Sequence, residues 1–258
     1  RQEHYRALLF MALFKKIVLT LMASLLLGSL PLGVSADPLS NYSATYSAEF
    51  NGMEIEATHK LEQLESGQYR ETLKARNILG KIDEQALFKV SDQQQIIPQE
   101  YKYKRSLIGI KRTESQIFDW PNNTVQYSKG DKKKSVAVTP GLFDIITHKL
   151  QLRRDLQSGK EILAYPVISR GKLKQYVYEV IANEVLETAI GPLNTVKLQR
   201  IREDEKRQTV MWLATDWDYL AVKLEQIENG DSHQMKILNG QINNMPILPL
   251  ATVTEKNL

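Results

Sequence analysis

The sequence predicts an all-β domain, a curled antiparallel β-roll of about a dozen strands around one central amphipathic helix. Apolar and polar side chains alternate along most of residues 42–238, the pattern of strands with one buried face. Glycine, asparagine, aspartate and proline punctuate those runs at intervals of roughly 10 to 13 residues. One segment, residues 140–157, abandons the alternation and places its apolar residues three or four apart.

Taken in order, Tyr42, Ala44, Tyr46, Ala48 and Phe50 share one parity against Ser43, Thr45, Ser47 and Glu49. Asn51-Gly52 then predicts a hairpin turn, because both residues accept positive φ. In the return strand Met53, Ile55, Ala57, His59 and Leu61 alternate with Glu54, Glu56, Thr58, Lys60 and Glu62. Beyond Gly67, a third run carries Tyr69, Leu73 and Ala75, and a fourth Ala86, Phe88 and Val90. Pro98 opens a stretch where Tyr101 and Tyr103 alternate with Lys102 and Lys104; residues 110–119 follow, closed by Pro121-Asn122-Asn123. Short strands near 124–128 and 133–138 flank Gly130-Asp131.

The helix is expected near 140–157, with Thr139 as its cap and Pro140 in its first turn. Leu142, Ile146 and Leu150 fall four apart and are joined by Ile145, Leu152 and Leu156; Arg153 and Arg154 suit the negative end of the dipole, and Gly159 stops it. Strands resume at 161–169, 172–182, 184–190, 193–203, 207–214, 219–228 and 232–238. Residues 241–258, with Pro246 and Pro249 and no period, predict a loose tail. Two β subdomains joined by the helix would also fit this order. One sheet explains more, because its half-apolar strands need a cover that the helix and closure of the curl supply. The domain is therefore expected over 37–240.

Ahead of it, Lys15-Lys16, the apolar run Ile17–Leu27, Pro31 and Val34-Ser35-Ala36 follow the order of a secretory signal peptide. A signal peptide is expected at 11–36, cut after Ala36, with residues 1–10 read as sequence upstream of it and the mature chain in the periplasm. An uncleaved anchor fits less well, since a spanning helix takes roughly 20 apolar residues and this stretch meets Gly28 and Pro31 first. The chain has no cysteine, which excludes disulfides, thiol catalysis, thiolate metal sites and lipid attachment through a cysteine.

The 258-residue chain carries 34 basic and 30 acidic residues. Residues 1–36 hold Arg1, Arg6, Lys15 and Lys16 against Glu3, so 30 basic and 29 acidic residues remain after the cut. That balance removes a global electrostatic case for nucleic acid. The surplus is local: between 101 and 134, Lys102, Lys104, Arg105, Lys111, Arg112, Lys129, Lys132, Lys133 and Lys134 face only Glu114, Asp119 and Asp131. In an exported protein such a region meets anionic lipid headgroups, acidic glycan or an acidic protein; alternatively its lysines guard exposed sheet edges.

Gly141-Leu142-Phe143-Asp144-Ile145, Leu150-Gln151-Leu152-Arg153 with Gly159, and Ile190–Leu198 resemble segments of the exported bacterial domain-of-unknown-function 3108 (DUF3108) family. The most specific resemblance is Thr209–Asp216 running into Tyr219–Leu224, where members usually carry proline in place of Ala221. It implies a spiral-like antiparallel β-roll, similar in outline to periplasmic lipoprotein carriers and envelope-integrity proteins. No established activity and no catalytic residue come with it.

After the cut three histidines remain, His59, His148 and His233, none within four residues of another, so no metal site is expected. His59 shares the inward parity of its strand and is read as a core or rim histidine with weak candidacy for ligand binding. Asp144, Asp216 and Asp218 sit where aspartate caps turns. No nucleophile-elbow or phosphate-loop glycine pattern occurs. The expectation is a non-enzymatic envelope protein without cofactor, binding a lipid, lipid-linked glycan or envelope partner through Lys102, Lys104, Arg105, Lys111, Arg112, Lys132, Lys133, Lys134 and His59. The alternative is a scaffold for envelope proteins working through strand edges, ahead of a periplasmic hydrolase built on His59 or His148.

Overall fold

A computed structural model describes residues 39–50, 53–202 and 207–251. The expected leader at 11–36 and residues 1–10 lie outside the described residues, as does the Asn51-Gly52 turn. Eight strands come first: β1 (Tyr42–Phe50), β2 (Met53–Gln63), β3 (Tyr69–Asn77), β4 (Gly80–Val90), β5 (Ile96–Leu107), β6 (Ile110–Asp119), β7 (Thr124–Lys129) and β8 (Lys132–Ala137). Helix α1 (Thr147–Gln157) follows. The remainder comprises β9 (Leu163–Ser169), β10 (Lys172–Thr188), β11 (Gly191–Ile201), β12 (Arg207–Ala214), β13 (Leu220–Glu228), β14 (Asp231–Ile242) and β15 (Met245–Pro246).

These strands make one open sheet in the order β8-β7-β6-β5-β4-β3-β2-β1-β14-β13-β12-β11-β10-β9, with β15 beside β14. Each consecutive pair is antiparallel, as short turns between alternating runs dictate. The two halves of the chain join at mid-sheet, where β1 pairs with β14 from Tyr42↔Ile242 to Ala48↔Met235. The predicted parity holds: Tyr42, Ala44 and Tyr46 are buried in β1, and Ala57 and Leu61 in β2. Tyr46, Phe88, Leu61, Leu150, Leu152, Tyr165 and Leu198 are among the largest side chains shut away from solvent.

The two ends of the sheet touch through side chains. Phe118 of β6, Val125 of β7 and Val138 pack with Ile168 of β9, and Gln116 Nε2 donates to the Ile168 carbonyl at 3.4 Å. Leu150 and Leu152 of α1 belong to the main core with residues of β1 and β9–β14, while Arg153 lies over the Tyr42 ring at 4.9 Å and its Nε donates to the Asp218 carbonyl.

Three expectations change. The helix begins at Thr147, not near 140, because Phe143 is drawn to the sheet by a parallel bridge with Val167, and Asp144 Oδ1 then accepts the Ile146 and Thr147 N–H groups in a turn ahead of the helix. Its far end matches, with Gly159 at φ 73° just past the cap. The strands expected at 172–182 and 184–190 are one strand, β10, which keeps its pairing to β11 across an irregularity between Val180 and Ala182. The tail expected from 241 is held on the sheet as far as it is described. β14 runs to Ile242, Ile247 is buried and bonds Gly240, and Leu250 N–H donates to the Pro192 carbonyl at 2.8 Å.

Candidate anion-binding cleft

Alternation decides which side chains reach the inner face. On β5, Tyr101, Tyr103 and Arg105 share that face; on β6 it carries Arg112, Glu114 and Gln116; on β10, Lys174, Tyr176 and Tyr178. Together with Arg200, Arg202, Arg207 and the α1 residues His148 and Lys149, they line an open cleft of about 430 Å³. Its described lining holds eight basic residues, Arg105, Arg112, Lys149, Arg170, Lys174, Arg200, Arg202 and Arg207, against Glu84, Glu114 and Glu228.

Much of the acidic charge is already engaged. Glu114 takes the Arg112 guanidinium and the Tyr127 hydroxyl, Glu228 takes Arg207, and Glu84 accepts the Tyr101 hydroxyl at 2.5 Å. Glu114 and burial together push the Tyr127 phenol up to about 12, burial being the larger cause. By contrast, the Nε atoms of Arg105, Arg200 and Arg202 are buried and have no hydrogen-bond partner among the described residues. An unmade bond at a buried charged donor costs free energy, so these three nitrogens mark where an acceptor belongs.

Two further relationships point the same way. Arg105 and Arg112 are direct cross-strand partners, an arrangement of like charges that weakens a sheet. Arg202 is held below the usual guanidinium range, first by burial and then by repulsion from Arg200. The Arg200 guanidinium sits 3.1 Å from the Tyr176 ring centre. Burial raises the Tyr176 phenol, but Arg200, Ser169 and Lys174 outweigh it and the net direction is down. The cleft wall is thus a cation-rich surface able to stabilise negative charge.

His148 forms part of the floor. Its Nδ1 lies 3.1 Å from the Asp144 carbonyl, which can only accept, so Nδ1 carries the proton and Nε2 accepts the Tyr178 O–H at 2.9 Å. Burial pulls its pKa down to about 3, which keeps it neutral. Among the described residues no group of three or more His, Cys, Asp or Glu could hold a metal ion.

Of the residues singled out in the sequence, the structure brings Arg105 and Arg112 into the cleft. Lys102, Lys104 and Lys111 take the opposite parity and are exposed, Lys102 pairing with Glu100 at 2.7 Å. Lys132, Lys133 and Lys134 are exposed on the edge strand β8, with the Lys134 ammonium 5.7 Å over the Tyr127 ring. His59 lies elsewhere, half-buried between Tyr42 and Glu71. Sequence reasoning missed Arg200 and Arg202. Their two-residue spacing after Leu198 was a signal of shared facing, but only the fold brings them to Arg105.

A second recess, of about 500 Å³, is mainly apolar and is lined by Ile96, Pro98, Trp120, Leu142, Phe143 and Tyr165 among others. Trp120 Nε1 donates to the Pro98 carbonyl at 2.7 Å, fixing the indole at its wall.

The family described as protein of unknown function (DUF3108) matches residues 41–237. No curated protein matches the sequence. Among solved structures, the β-barrel-like protein of domain of unknown function DUF1849 from Brucella abortus has a similar backbone, with a TM-score of 0.56 at 8% identity over 81% of this chain and 100% of the other. The Pseudomonas aeruginosa MucA/MucB complex matches at a TM-score of 0.35 and 12% identity, over 81% of this chain and 53% of that one. A putative outer membrane lipoprotein-sorting protein domain from Vibrio parahaemolyticus matches at 0.23 and 10%, over 79% and 86%.

Proposed function

This chain belongs to the DUF3108 family, whose function is unknown, and from that premise we propose a non-enzymatic envelope protein whose cleft binds an anionic lipid or lipid-linked glycan. One observation carries the reading: three buried arginine Nε atoms without a partner among the described residues, in an open cleft whose described lining has more basic than acidic groups. Arginine suits this role because its planar fork of donors meets phosphate or carboxylate oxygens two at a time. The apolar recess beside Trp120 offers a surface of the kind an acyl or prenyl chain prefers. In this reading the sheet curls about α1, the leader at 11–36 is removed after Ala36, and the mature chain works in the periplasm.

The test is calorimetric titration of the purified protein with dihexanoyl phosphatidylglycerol and, separately, dihexanoyl phosphatidylcholine, both below their micelle concentrations. Preferential binding of the anionic headgroup, weakened by salt and by Arg202→Gln, supports the reading. Equal binding of both headgroups, or none of either, overturns it.

A further inference from the structure

Resting on the anion-binding reading of the cleft, we propose that the group it prefers is a diphosphate, not a single phosphodiester or carboxylate. The first argument is charge. Once Arg112 is matched with Glu114 and Arg207 with Glu228, six basic side chains remain in the described lining against Glu84. A monoanion neutralises one of them and leaves the other cations crowded in one cleft, Arg202 among them, whose basicity burial and then Arg200 already lower. A group carrying two or more negative charges relieves more of that repulsion for the same desolvation of one site.

The second argument is placement. The three Nε atoms without a partner among the described residues come from separate stretches of the sheet, Arg105 from β5 and Arg200 and Arg202 at or just past the end of β11. Seven strands lie between β5 and β11 in the sheet order, yet both walls face one cleft. Arg200 and Arg202 stand two residues apart and line the same cleft, a spacing of roughly 6–7 Å for extended chain. One phosphodiester offers two non-bridging oxygens, enough for a single fork. Two linked phosphoryl groups offer acceptors on both sides at once, which is what donors arriving from two walls require. The Tyr176 ring stays stacked beneath Arg200 and fixes that guanidinium in place, so little side-chain freedom is lost on binding.

Diphosphate can arrive free or carried on a prenyl chain, and the experiment separates the two. Orthophosphate, inorganic diphosphate, farnesyl diphosphate and dihexanoyl phosphatidylglycerol are titrated by calorimetry into the purified protein, with a chelator present. Diphosphate should bind at least about tenfold tighter than orthophosphate, and Arg202→Gln should remove most of that ratio. Where Arg202→Gln fails a thermal-melt check for folding, Arg202→Lys, which keeps the charge and loses the fork, should cut the ratio severalfold. Tighter binding of farnesyl diphosphate than of diphosphate assigns the carried form; equal binding assigns the free one. If phosphatidylglycerol binds but diphosphate has no advantage over orthophosphate, this inference falls and the broader reading survives. If none of the four anions binds, both fall.

Discussion

The guanidinium of Arg200 lies 3.1 Å from the centre of the Tyr176 ring, a cation stacked on an aromatic face inside a cleft that is already rich in positive charge. Such a contact is strongest where water is excluded. Burial alone raises the Tyr176 phenol, and Arg200 is the largest of the opposing influences that bring it down. Replacing Arg200 with Gln should therefore raise the Tyr176 pKa, because burial then acts with its main opponent removed. Ultraviolet absorbance titration against a Tyr176→Phe background isolates this phenol; an unchanged titration contradicts the stacking argument.

Tyr42, His59 and Glu71 form a second polar cluster. The Tyr42 hydroxyl donates to Glu71 Oε1 at 2.6 Å, and His59 Nε2 lies 2.5 Å from the same oxygen. Burial raises the Glu71 carboxyl, but His59, Tyr42 and Arg153 together hold it below its usual range. A depressed carboxylate adds stability that is present above its unfolded pKa and lost as pH falls below it. Removing His59 leaves a buried carboxylate short of a partner. His59→Ala should cost on the order of 3 kcal/mol in denaturant unfolding and leave anion affinity in the distant cleft unchanged. Loss of affinity without loss of stability would return His59 to the binding site.

These two clusters show what was legible in the sequence and what was not. Period two along β1 and β2 announced that Tyr42 and His59 face the same way, and the fold keeps them so. The same parity separates Arg105 from Lys102 and Lys104, so a run that reads as one basic patch is split between two faces of a sheet. Charge counted along a chain ignores that split. Arg200 and Arg202 escaped notice because their meeting with Arg105 depends on how the sheet bends, and strand alternation carries no record of curvature. The late start of α1 was hidden for a related reason: Asp144 read correctly as a turn-capping residue, but the bridge from Phe143 to Val167 is a tertiary contact that overrode the helical spacing of Leu142 and Ile146.

Gly171 tests how the two ends of the sheet meet. Its φ is 66°, and a Cβ there would stand 2.6 Å from both Lys134 Cε and Tyr127 Cδ1. Lys134 can swing aside, but Tyr127 is buried and tied to Glu114 at 3.1 Å. Gly171→Ala should destabilise by about 1–3 kcal/mol through backbone strain and crowding. Hydrogen exchange should show β7 and β8 losing protection more than β1 and β14, which pair at mid-sheet. A uniform loss across all four strands would mean that this contact does not hold the ends together.

Asp144 and His148, one turn apart, pull stability in opposite directions with pH. Asp144 is wholly buried, one oxygen accepting two N–H groups and Oδ2 without a partner among the described residues, and burial pushes its pKa up to about 7. A carboxyl raised in the folded state is stabilising below its unfolded value and loses that contribution as pH climbs from about 4 to 7. His148 is depressed to about 3 by burial, so its contribution is complete above the unfolded value near 6.5 and is lost as pH falls toward 3. Between about pH 4 and 6.5 the two slopes oppose and largely cancel. Asp144→Asn keeps an oxygen to accept the Ile146 and Thr147 N–H groups and removes only the titration. Stability of this variant should then fall on acidification by up to about 1.4 kcal/mol per pH unit across that window, where the parent stays comparatively flat. Denaturant melts at half-unit pH steps measure both curves, and parallel curves would show that the Asp144 carboxyl does not titrate in this range.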